Sequence, residues 1–454
     1  MPFIPHTADD VQAMLAAIGV PEIASLFDEI PASLRWTRVE GVPPGLPEMA
    51  INRLMRERAA KDAADLCFLG AGAYDHHIPA AVWEIATRGE FYSAYTPYQA
   101  EASQGTLQLI YEYQSMMTAL MAMDISNASL YDGASALAEA VLMALRANRR
   151  HDAQRVWMPA AVHPHYRETV RTIVEGQGIE LVDVPYDPAT GVTLAASLDA
   201  LPDAAALVVP QPNFFGRLED IDALTDAARA RGALVIALVN PLAMAILKPP
   251  GQWGDAAGGG ADIACGEGQP LGVPLAGGGP YYGFLCCRQA HVRQMPGRIV
   301  GRTVDRDGRA GFTLTLQPRE QHIRRAKATS NICTNQGLLA LGSAVYMSVL
   351  GREGMRQVAN LCYQKAHYAA SEISKIEGYG LCFTEPFFHE FALCCPKPAA
   401  EVNAHLLDHG ILGGYDLAQD YPSLPNHMLI AVTEMNTKEE IDALVEVLKE
   451  VSHD

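Results

Sequence analysis

The sequence predicts an α/β protein with a parallel central sheet, a helical arm before it and a smaller α+β region after it. Short apolar runs alternate with amphipathic stretches of helical length from about residue 66 to residue 330, a pattern typical of parallel sheets. Helix start and stop signals precede this region, and the regular alternation ends after it. We therefore divide the chain into an N-terminal helical arm over 1–65, a large α/β domain over 66–330 and a small α+β C-terminal domain over 331–454.

The arm opens with a helix whose first turn carries its own cap. Thr7 and Asp10 have the spacing of a capping pair, an apolar face follows, and Gly19 is placed to end the helix. The proline-rich stretch 41–47 separates this helix from a second one predicted over 48–60. We interpret the segment as an arm that wraps a neighbouring subunit.

The large domain is expected to contain buried strands separated by helices. The apolar runs that predict strands lie at 128–131, 154–158, 179–184, 205–209, 233–239 and 281–287. The amphipathic stretches that predict helices lie at 103–122, 134–148, 163–176 and 219–231. Helices of this length favour a parallel sheet with right-handed crossovers.

The C-terminal region is expected to mix one long helix with short strands. The helix is predicted over 335–376, and strands follow at 380–384, 389–395 and 428–433. Thr437 and Glu440 form a capping box for the last helix. Its apolar face consists of Ile441, Leu444, Val445, Leu448 and Val451.

The composition of the chain argues against some classes of binding partner and of cellular location. A net charge of −18 argues against nucleic acid and against anionic membrane surfaces. Nine cysteines without a C-x-x-C spacing indicate free thiols in a reducing compartment. The most apolar run, 233–247, is too short to span a bilayer, and the first residues lack the pattern of a secretory signal. We expect a soluble cytoplasmic protein.

The segment YTPYQAEASQG over 95–105 concentrates polar groups ahead of a long helix. Tyr95, Tyr98, Gln99 and Gln104 suit a site that holds a small polar substrate against a flat ring. An ordered loop packed at a subunit interface is the alternative. We predict a substrate-positioning role at a subunit interface for these four residues.

Four other segments carry groups capable of chemistry. The turn 68–82 contains His76 and His77, but adjacent residues point in different directions, so no metal site is predicted. DGASALAEA over 132–140 places a helix N-terminus after a strand and suits either anion binding or simple capping by Asp132. Segment 211–220 is placed at the C-terminal edge of the sheet, where α/β proteins bind ligands, although a plain turn fits equally.

The fourth segment, REQHIRRAKATSNICTNQ over 319–336, contains Lys327 among arginines. Lys327 could serve as a cofactor lysine, whereas a solvated or inter-subunit basic face explains the same spacing.

Residues 266–280 read GEGQPLGVPLAGGGP and resemble the turn that holds pyridoxal phosphate on a lysine, with Gln269 where that lysine is expected. The cofactor is carried as a Schiff base on a lysine amine, and an amide nitrogen is not nucleophilic. Of the eight lysines of the chain, only Lys248 falls between residues 62 and 326. Enzymes of this type also hold the pyridine nitrogen with an aspartate, yet strand 234–240 has no acid and aligns Ala237 there.

Several long segments together identify a family resemblance: YTPYQAEASQGTLQLIYEYQ, SNASLYDGASALAEA, GQPLGVPLAGGGP, REQHIRRAKATSNICTNQ, and GILGGYDL followed by AVTEMNTKEEID. They resemble the glycine cleavage system P-protein, and most closely its N-terminal-half chain, subunit 1 of glycine dehydrogenase (decarboxylating). The resemblance covers essentially the full length. It implies a large domain with the fold-type-I, aminotransferase-like architecture of PLP-dependent transferases.

The resemblance also implies an activity and its partners. Subunit 2 would carry the lysine-bound pyridoxal phosphate, and the two chains would form an α2β2 heterotetramer. This oxidoreductase would decarboxylate glycine, release CO2 and pass the aminomethyl group to the lipoamide of the H-protein. Our chain would bind no cofactor covalently and no metal.

Two other functions stay open at this point. The chain could be a stand-alone pyridoxal enzyme that uses Lys327 or Lys248, in which case borohydride would fix the cofactor to the purified chain. It could also be a structural scaffold for subunit 2, in which case loop variants would keep full activity.

Overall fold

The computed structural model describes residues 5–36, 39, 41–62, 66–150, 153–255, 259–384 and 386–453. The contacts of the chain divide it into two units, Met1–Ala63 and Ala64–Asp454. The helices are α1 Ala8–Ile18, α2 Glu48–Lys61, α3 Ala80–Ala86, α4 Gly89–Tyr92, α5 Gln104–Met121, α6 Gly133–Ala147, α7 Pro164–Val174, α8 Ile221–Ala230, α9 Gln321–Arg324, α10 Gly337–Ile373, α11 Ala399–Asp408 and α12 Lys438–His453. None of these helices is both long and apolar enough to cross a membrane.

The strands are short, and most of them lie in two sheets. They are β1 Leu66–Cys67, β2 Ile125–Ser126, β3 Arg155–Pro159, β4 Glu180–Val184, β5 Ala206–Gln211, β6 Leu234–Val239, β7 Ile263–Glu267, β8 Gly283–Cys287, β9 Ile299–Val304, β10 Ala310–Thr315, β11 Gly380–Leu381, β12 Glu390–Cys394, β13 Ile411–Leu412, β14 Tyr415–Asp416 and β15 His427–Ala431.

The first unit contains α1 and α2, and its caps follow the sequence prediction. The Thr7 side chain accepts from the Asp10 N–H at 3.2 Å, while Asp10 accepts from the Thr7 N–H at 2.8 Å. Gly19 ends α1 at φ +85°, a left-handed conformation that glycine adopts without strain. Within the described part of this unit, Leu15 is the one buried apolar side chain.

The second unit is built on a seven-stranded sheet in the order β2-β8-β7-β6-β5-β3-β4. Strands β4, β3, β5, β6 and β7 run parallel, which was predicted for the first four of them. Strands β3, β5, β6 and β7 are largely buried, whereas β4 at the edge is not. The parallel prediction is wrong for the strand expected over 281–287, since β8 runs antiparallel to both β7 and β2. The chain returns from β7 to β8 without a helix, and parallel strands need a crossover connection.

Two further strand predictions need correction. The strand expected over 128–131 lies instead at β2, and only Leu130 of that run makes an isolated bridge, to Gly283. Strand β7 fills the gap between β6 and β8 and was not predicted, nor was the antiparallel hairpin of β9 and β10.

The C-terminal region forms a four-stranded antiparallel sheet in the order β11-β12-β15-β14. The predicted capping box of α12 is present: the Glu440 N–H donates to Thr437 Oγ1 at 3.2 Å and the Thr437 N–H donates to Glu440 Oε2 at 2.7 Å. The long helix predicted over 335–376 is interrupted at Gly351, where φ is +61° and ψ is −177°. Strand β1 pairs with β13, so residues after the arm also contribute to this region.

Candidate functional site

A cavity lies at the C-terminal edge of the central sheet, where β5, β6 and β7 end. This is the edge at which open α/β sheets place their ligands, because the carboxyl ends of parallel strands meet there. Its volume is about 80 Å³. The lining residues are Gly72, Tyr74, His163, Tyr166, Pro210, Pro212, Asn213, Phe214, Leu238, Val239, Asn240, Gly266, Glu267, Pro270, His389 and Glu390. As predicted, the segment 211–220 reaches this edge.

The side chain of Gln269 hydrogen-bonds the main chain of the segment 70–77, which contributes Gly72 and Tyr74 to the cavity lining. Its Oε1 accepts from the main-chain N–H of Tyr74 at 2.9 Å, and its Nε2 donates to the Tyr74 carbonyl at 2.7 Å and to the Val273 carbonyl at 2.9 Å. The side chain is 1% exposed. An amide can accept and donate at once, which explains why glutamine serves at this position.

Glu390, the first residue of β12 in the C-terminal sheet, hydrogen-bonds the same segment. Its Oε1 accepts from the Ala71 N–H at 2.7 Å, and its Oε2 accepts from the Tyr74 hydroxyl at 2.6 Å. Burial raises the pKa of this carboxyl group to about 7, although both hydrogen bonds act in the opposite direction. Glu390 therefore joins two parts of the chain that are more than 300 residues apart.

Two histidines line the cavity as neutral groups. His163 Nε2 is 2.8 Å from the Ala71 carbonyl oxygen, and burial lowers its pKa to about 4. His389 is 1% exposed, and burial lowers its pKa to about 3. At neutral pH both rings are therefore uncharged.

The side chain of His76 contacts the side chain of Glu434, which also contacts Cys362. Its Nδ1 is 2.8 Å from Glu434 Oε2, and the Cys362 thiol donates to the same oxygen at 3.1 Å. These three groups lie close enough for a shared ion. Burial acts to raise the pKa of Glu434, but the hydrogen bonds from His76 and His77 outweigh it and lower the pKa to about 2. Because hydrogen bonds account for all three ligand atoms, we interpret the group as a buried hydrogen-bonded cluster.

The four residues predicted to position substrate lie in a separate loop, outside the cavity lining. Tyr95 is 84% exposed and Tyr98 is 49% exposed, and Gln99 is also exposed. Gln104, by contrast, is bonded to the hairpin: it accepts from the Phe312 N–H at 2.9 Å and donates to the Phe312 carbonyl at 2.8 Å.

The side chain of Arg298 contacts that of Tyr98. Arg298 was not predicted as a site residue from the sequence. Its guanidinium lies 5.7 Å from the centre of the Tyr98 ring, and Nη2 is 3.4 Å from the Tyr98 hydroxyl oxygen. A second donor, Nη1, bonds Asn335 at 3.1 Å. The Tyr98 ring also contacts His322 at 4.9 Å between centroids. The loop is thus held against the segment 319–336.

The two lysines considered as cofactor residues lie elsewhere. Lys248 pairs with Asp222 at 2.7 Å, and Lys327 is exposed. No lysine occurs among the described residues that line the cavity. Ala237, the position aligned with the aspartate, is fully buried in the sheet core, while Leu238 and Asn240 reach the cavity.

The cavity does not fit pyridoxal phosphate. A designed cavity that binds benzene has a volume of about 150 Å³. The volume of about 80 Å³ is smaller, and the cofactor is larger than benzene. Gln269 and Glu390 also fix the segment 70–77 over the cavity, and Gln269 cannot form the Schiff base.

Comparison with known proteins gives the family. The sequence model described as "Glycine cleavage system P-protein" matches residues 1–448. The chain belongs to the glycine cleavage system P-protein family. The P-protein chain named probable glycine dehydrogenase (decarboxylating) subunit 1 in Thioalkalivibrio sulfidiphilus is 61% identical over 451 residues, which cover 99% of each chain. The chain of the same name in Coxiella burnetii is 58% identical over 453 residues, or 99% of this chain and 100% of that one.

Solved structures agree with the P-protein assignment and with the predicted fold class. A crystal structure of glycine decarboxylase, the P-protein of the glycine cleavage system, in inhibitor-bound form superposes with a TM-score of 0.88 at 42% identity, covering 99% of this chain and 100% of that one. Glutamate decarboxylase of Lactobacillus brevis superposes with a TM-score of 0.68 at 12% identity, covering 92% of this chain and 95% of that one, which shows the fold alone. The fold-type-I prediction is confirmed.

Proposed function

We propose that this chain is the cofactor-free subunit of a two-chain glycine dehydrogenase (decarboxylating). With subunit 2, which carries the lysine-bound pyridoxal phosphate, it forms an α2β2 heterotetramer in the cytoplasm. The assembly decarboxylates glycine, releases CO2 and transfers the aminomethyl group to the lipoamide of the H-protein. The reaction chemistry takes place on the partner, and this chain supplies surfaces and side chains.

One observation supports this assignment above all. The place where the fold would hold the cofactor is closed by the Gln269 amide, which bonds both the N–H and the carbonyl of Tyr74. A chain of this family with its own site closed needs another chain to hold the cofactor. Relatives named subunit 1 match it from end to end, which favours a homologous second subunit.

The loop 95–105 is our candidate for completing the partner's active site. Tyr95, Tyr98 and Gln99 are exposed and present hydrogen-bonding groups without an ionised side chain of their own, which suits orientation of substrate more than proton transfer. Arg298 fixes Tyr98 in place. Gln104 shapes the loop through the hairpin and contributes to the site indirectly.

The proposal is tested by reconstitution. Exchange of label between bicarbonate and the glycine carboxylate is measured with this chain alone, with subunit 2 alone and with the two mixed. We expect exchange only from the mixture. Exchange catalysed by this chain alone would reject the proposal and favour a stand-alone pyridoxal enzyme.

A further inference from the structure

The N-terminal end of α6 lies beside the cavity residues Tyr166 and Glu267 and is already occupied by a side chain of the protein. Helix N-termini bind anions, because their first N–H groups have no partner within the helix. Here the Gly133 N–H donates to Glu267 Oε2 at 2.9 Å, and the Ser135 N–H donates to Asp132 Oδ1 at 2.7 Å. Asp132 therefore caps the helix, which is one of the two alternatives that the sequence offered, and the carboxyl group of Glu267, whose pKa burial raises to about 7, accepts from the first N–H of the helix.

Glu267 is held as a bound oxyanion would be held. Besides Gly133, the main-chain N–H groups of Gln269 and Tyr282 each donate to its Oε1 at 3.2 Å. Within the described part of the chain, no arginine, lysine or histidine forms an ion pair with it. Three main-chain donors from three segments thus converge on one carboxyl group at the end of β7.

The segments around this contact are closely packed. A Cβ placed on Gly133 would lie 2.5 Å from the Tyr166 hydroxyl and 2.8 Å from the Glu267 main-chain nitrogen, so the helix end, Tyr166 and β7 are in close contact. A phosphate carries a charge of about −1.5 to −2 at neutral pH and would meet Asp132 and Glu267 at the same helix end. The two acidic side chains and the close packing both oppose the binding of a phosphate at this helix end.

We propose that Glu267 takes the place of the cofactor's phosphate group in this chain. The site is then closed at two neighbouring points: the phosphate position by Glu267, and the ring position by Gln269 with the segment 70–77. Loss of the lysine is therefore not sufficient to explain why the chain holds no cofactor, and restoring the lysine alone would not bring the cofactor back. This inference concerns the isolated chain and goes beyond the function proposed above.

The first test asks whether removing the carboxyl group opens an anion site. Thermal unfolding of the isolated wild-type chain and of Glu267→Ala is followed in sodium phosphate and in sodium chloride of equal ionic strength. Phosphate stabilises folded proteins in general, so we expect it to raise the Tm of Glu267→Ala by at least about 2 °C more than that of the wild type. Equal responses of the two proteins, or no response from folded Glu267→Ala, would overturn the proposal.

Two further variants serve as controls. Glu267→Gln keeps the position filled and should show no phosphate effect beyond that of the wild type. Glu219→Ala removes another buried carboxyl group, which accepts from the Thr193 N–H at 2.7 Å and from the Asn213 amide at 2.8 Å rather than from the N-terminus of α8 that follows it. It should be destabilised without responding to phosphate more than the wild type does. A larger phosphate response from Glu219→Ala would mean that the effect follows general destabilisation, and the proposal would fail.

The second test does not require Glu267→Ala to fold. Gln269→Lys and the wild type are incubated with pyridoxal phosphate, reduced with borohydride and mapped for pyridoxyl peptides. If the missing lysine were the whole cause, Gln269→Lys would gain an adduct at residue 269. We expect no adduct above the wild-type level, and a stoichiometric adduct at residue 269 would refute the proposal. The outcome does not depend on subunit 2, so it is separable from the reconstitution experiment.

Discussion

Gln269 and Glu390 show how single side chains hold a closed site together. Each connects a distant part of the chain to the segment 70–77, and each bonds main-chain groups that would otherwise be buried without partners. A lysine could not replace Gln269 in this role, because an ammonium group has no acceptor for the Tyr74 N–H. A buried donor left without an acceptor costs roughly 1–3 kcal/mol.

The buried carboxyl group of Glu390 predicts a specific pH dependence. Its pKa rises from an ordinary 4.5 to about 7 on folding, so its contribution to stability is complete below pH 4.5 and is lost as the pH rises to about 7. The difference corresponds to something on the order of 3 kcal/mol. Glu390→Gln keeps the shape without the charge, so its Tm should fall less between pH 5 and pH 8 than that of the wild type.

Thermal unfolding at the two pH values checks this prediction. Glu353→Gln is the matched control, because Glu353 is exposed and its pKa is lowered by the hydrogen bond from Arg356. This control should keep the wild-type fall in Tm. The Glu390 assignment is wrong if Glu390→Gln loses as much Tm as the wild type over this range.

The exposed tyrosines give a kinetic prediction. Tyr95→Phe and Tyr98→Phe each remove one hydroxyl and little volume, so the complex with subunit 2 should assemble normally while turnover of glycine falls. Loss of one orienting hydrogen bond is worth about 1–3 kcal/mol, or about one to two orders of magnitude in rate. Tyr363→Phe, which alters another exposed tyrosine, should keep full activity. Full activity in both loop variants would favour a scaffold.

At the scale of secondary structure, the hairpin of β9 and β10 depends on a side chain from another element. Gln104, in the first turn of α5, makes two hydrogen bonds to the main chain of Phe312. Gln104→Ala should therefore increase amide hydrogen exchange over 310–315. Gln108→Ala, which removes only an exposed bond to Glu112, should leave that exchange unchanged. Equal protection in both variants would show that the hairpin is stable without Gln104.

The elements that could be predicted from the sequence are those that carry their own signals. Helix α1 with Thr7 and Asp10, and α12 with Thr437 and Glu440, begin at their predicted caps, and α1 ends at the predicted Gly19, because caps are local. Strand β7 reads IACGE, which is too small and too polar to stand out, and only its neighbours β6 and β8 make it a strand. The direction of β8 likewise depends on tertiary pairing.

The site could be predicted in part for the same reason. Gln269 could be predicted as a site residue because a glycine-rich turn marks its position. The helix N-terminus at Asp132 could be predicted because a strand pattern is followed there by a capping residue. Glu390 and Arg298 carry no local signal, since their partners lie more than 30 residues away in sequence. Glu267 was within the marked turn, but its role depends on Gly133 across the sheet.

At the scale of the whole molecule, the arm presents an unusual amount of apolar surface. Among the described residues between Met14 and Met55, fourteen large apolar side chains are exposed, including Trp36 at 71% and Met49 at 74%. Apolar patches of this kind mark protein–protein contacts. We therefore expect deletion of residues 1–61 to abolish assembly with subunit 2 while the remainder of the chain stays folded.

Co-purification with tagged subunit 2 and circular dichroism of the truncated chain check this expectation. Normal assembly of the folded, truncated chain would show that the arm is dispensable for the contact. A truncated chain that no longer unfolds cooperatively would show that the arm belongs to the folded core, contrary to its separation as a unit.

The proposed double closure, by Glu267 and Gln269, would also have an evolutionary consequence. Changing Gln269 to lysine first would strip the Tyr74 N–H of its acceptor, and changing Glu267 first would leave three main-chain donors without one. Each single substitution would therefore lower the stability of the folded chain before any cofactor binding is gained. If Glu267 and Gln269 close the site as proposed, cofactor binding would return only when both positions change together, and neither substitution alone would be rewarded with it.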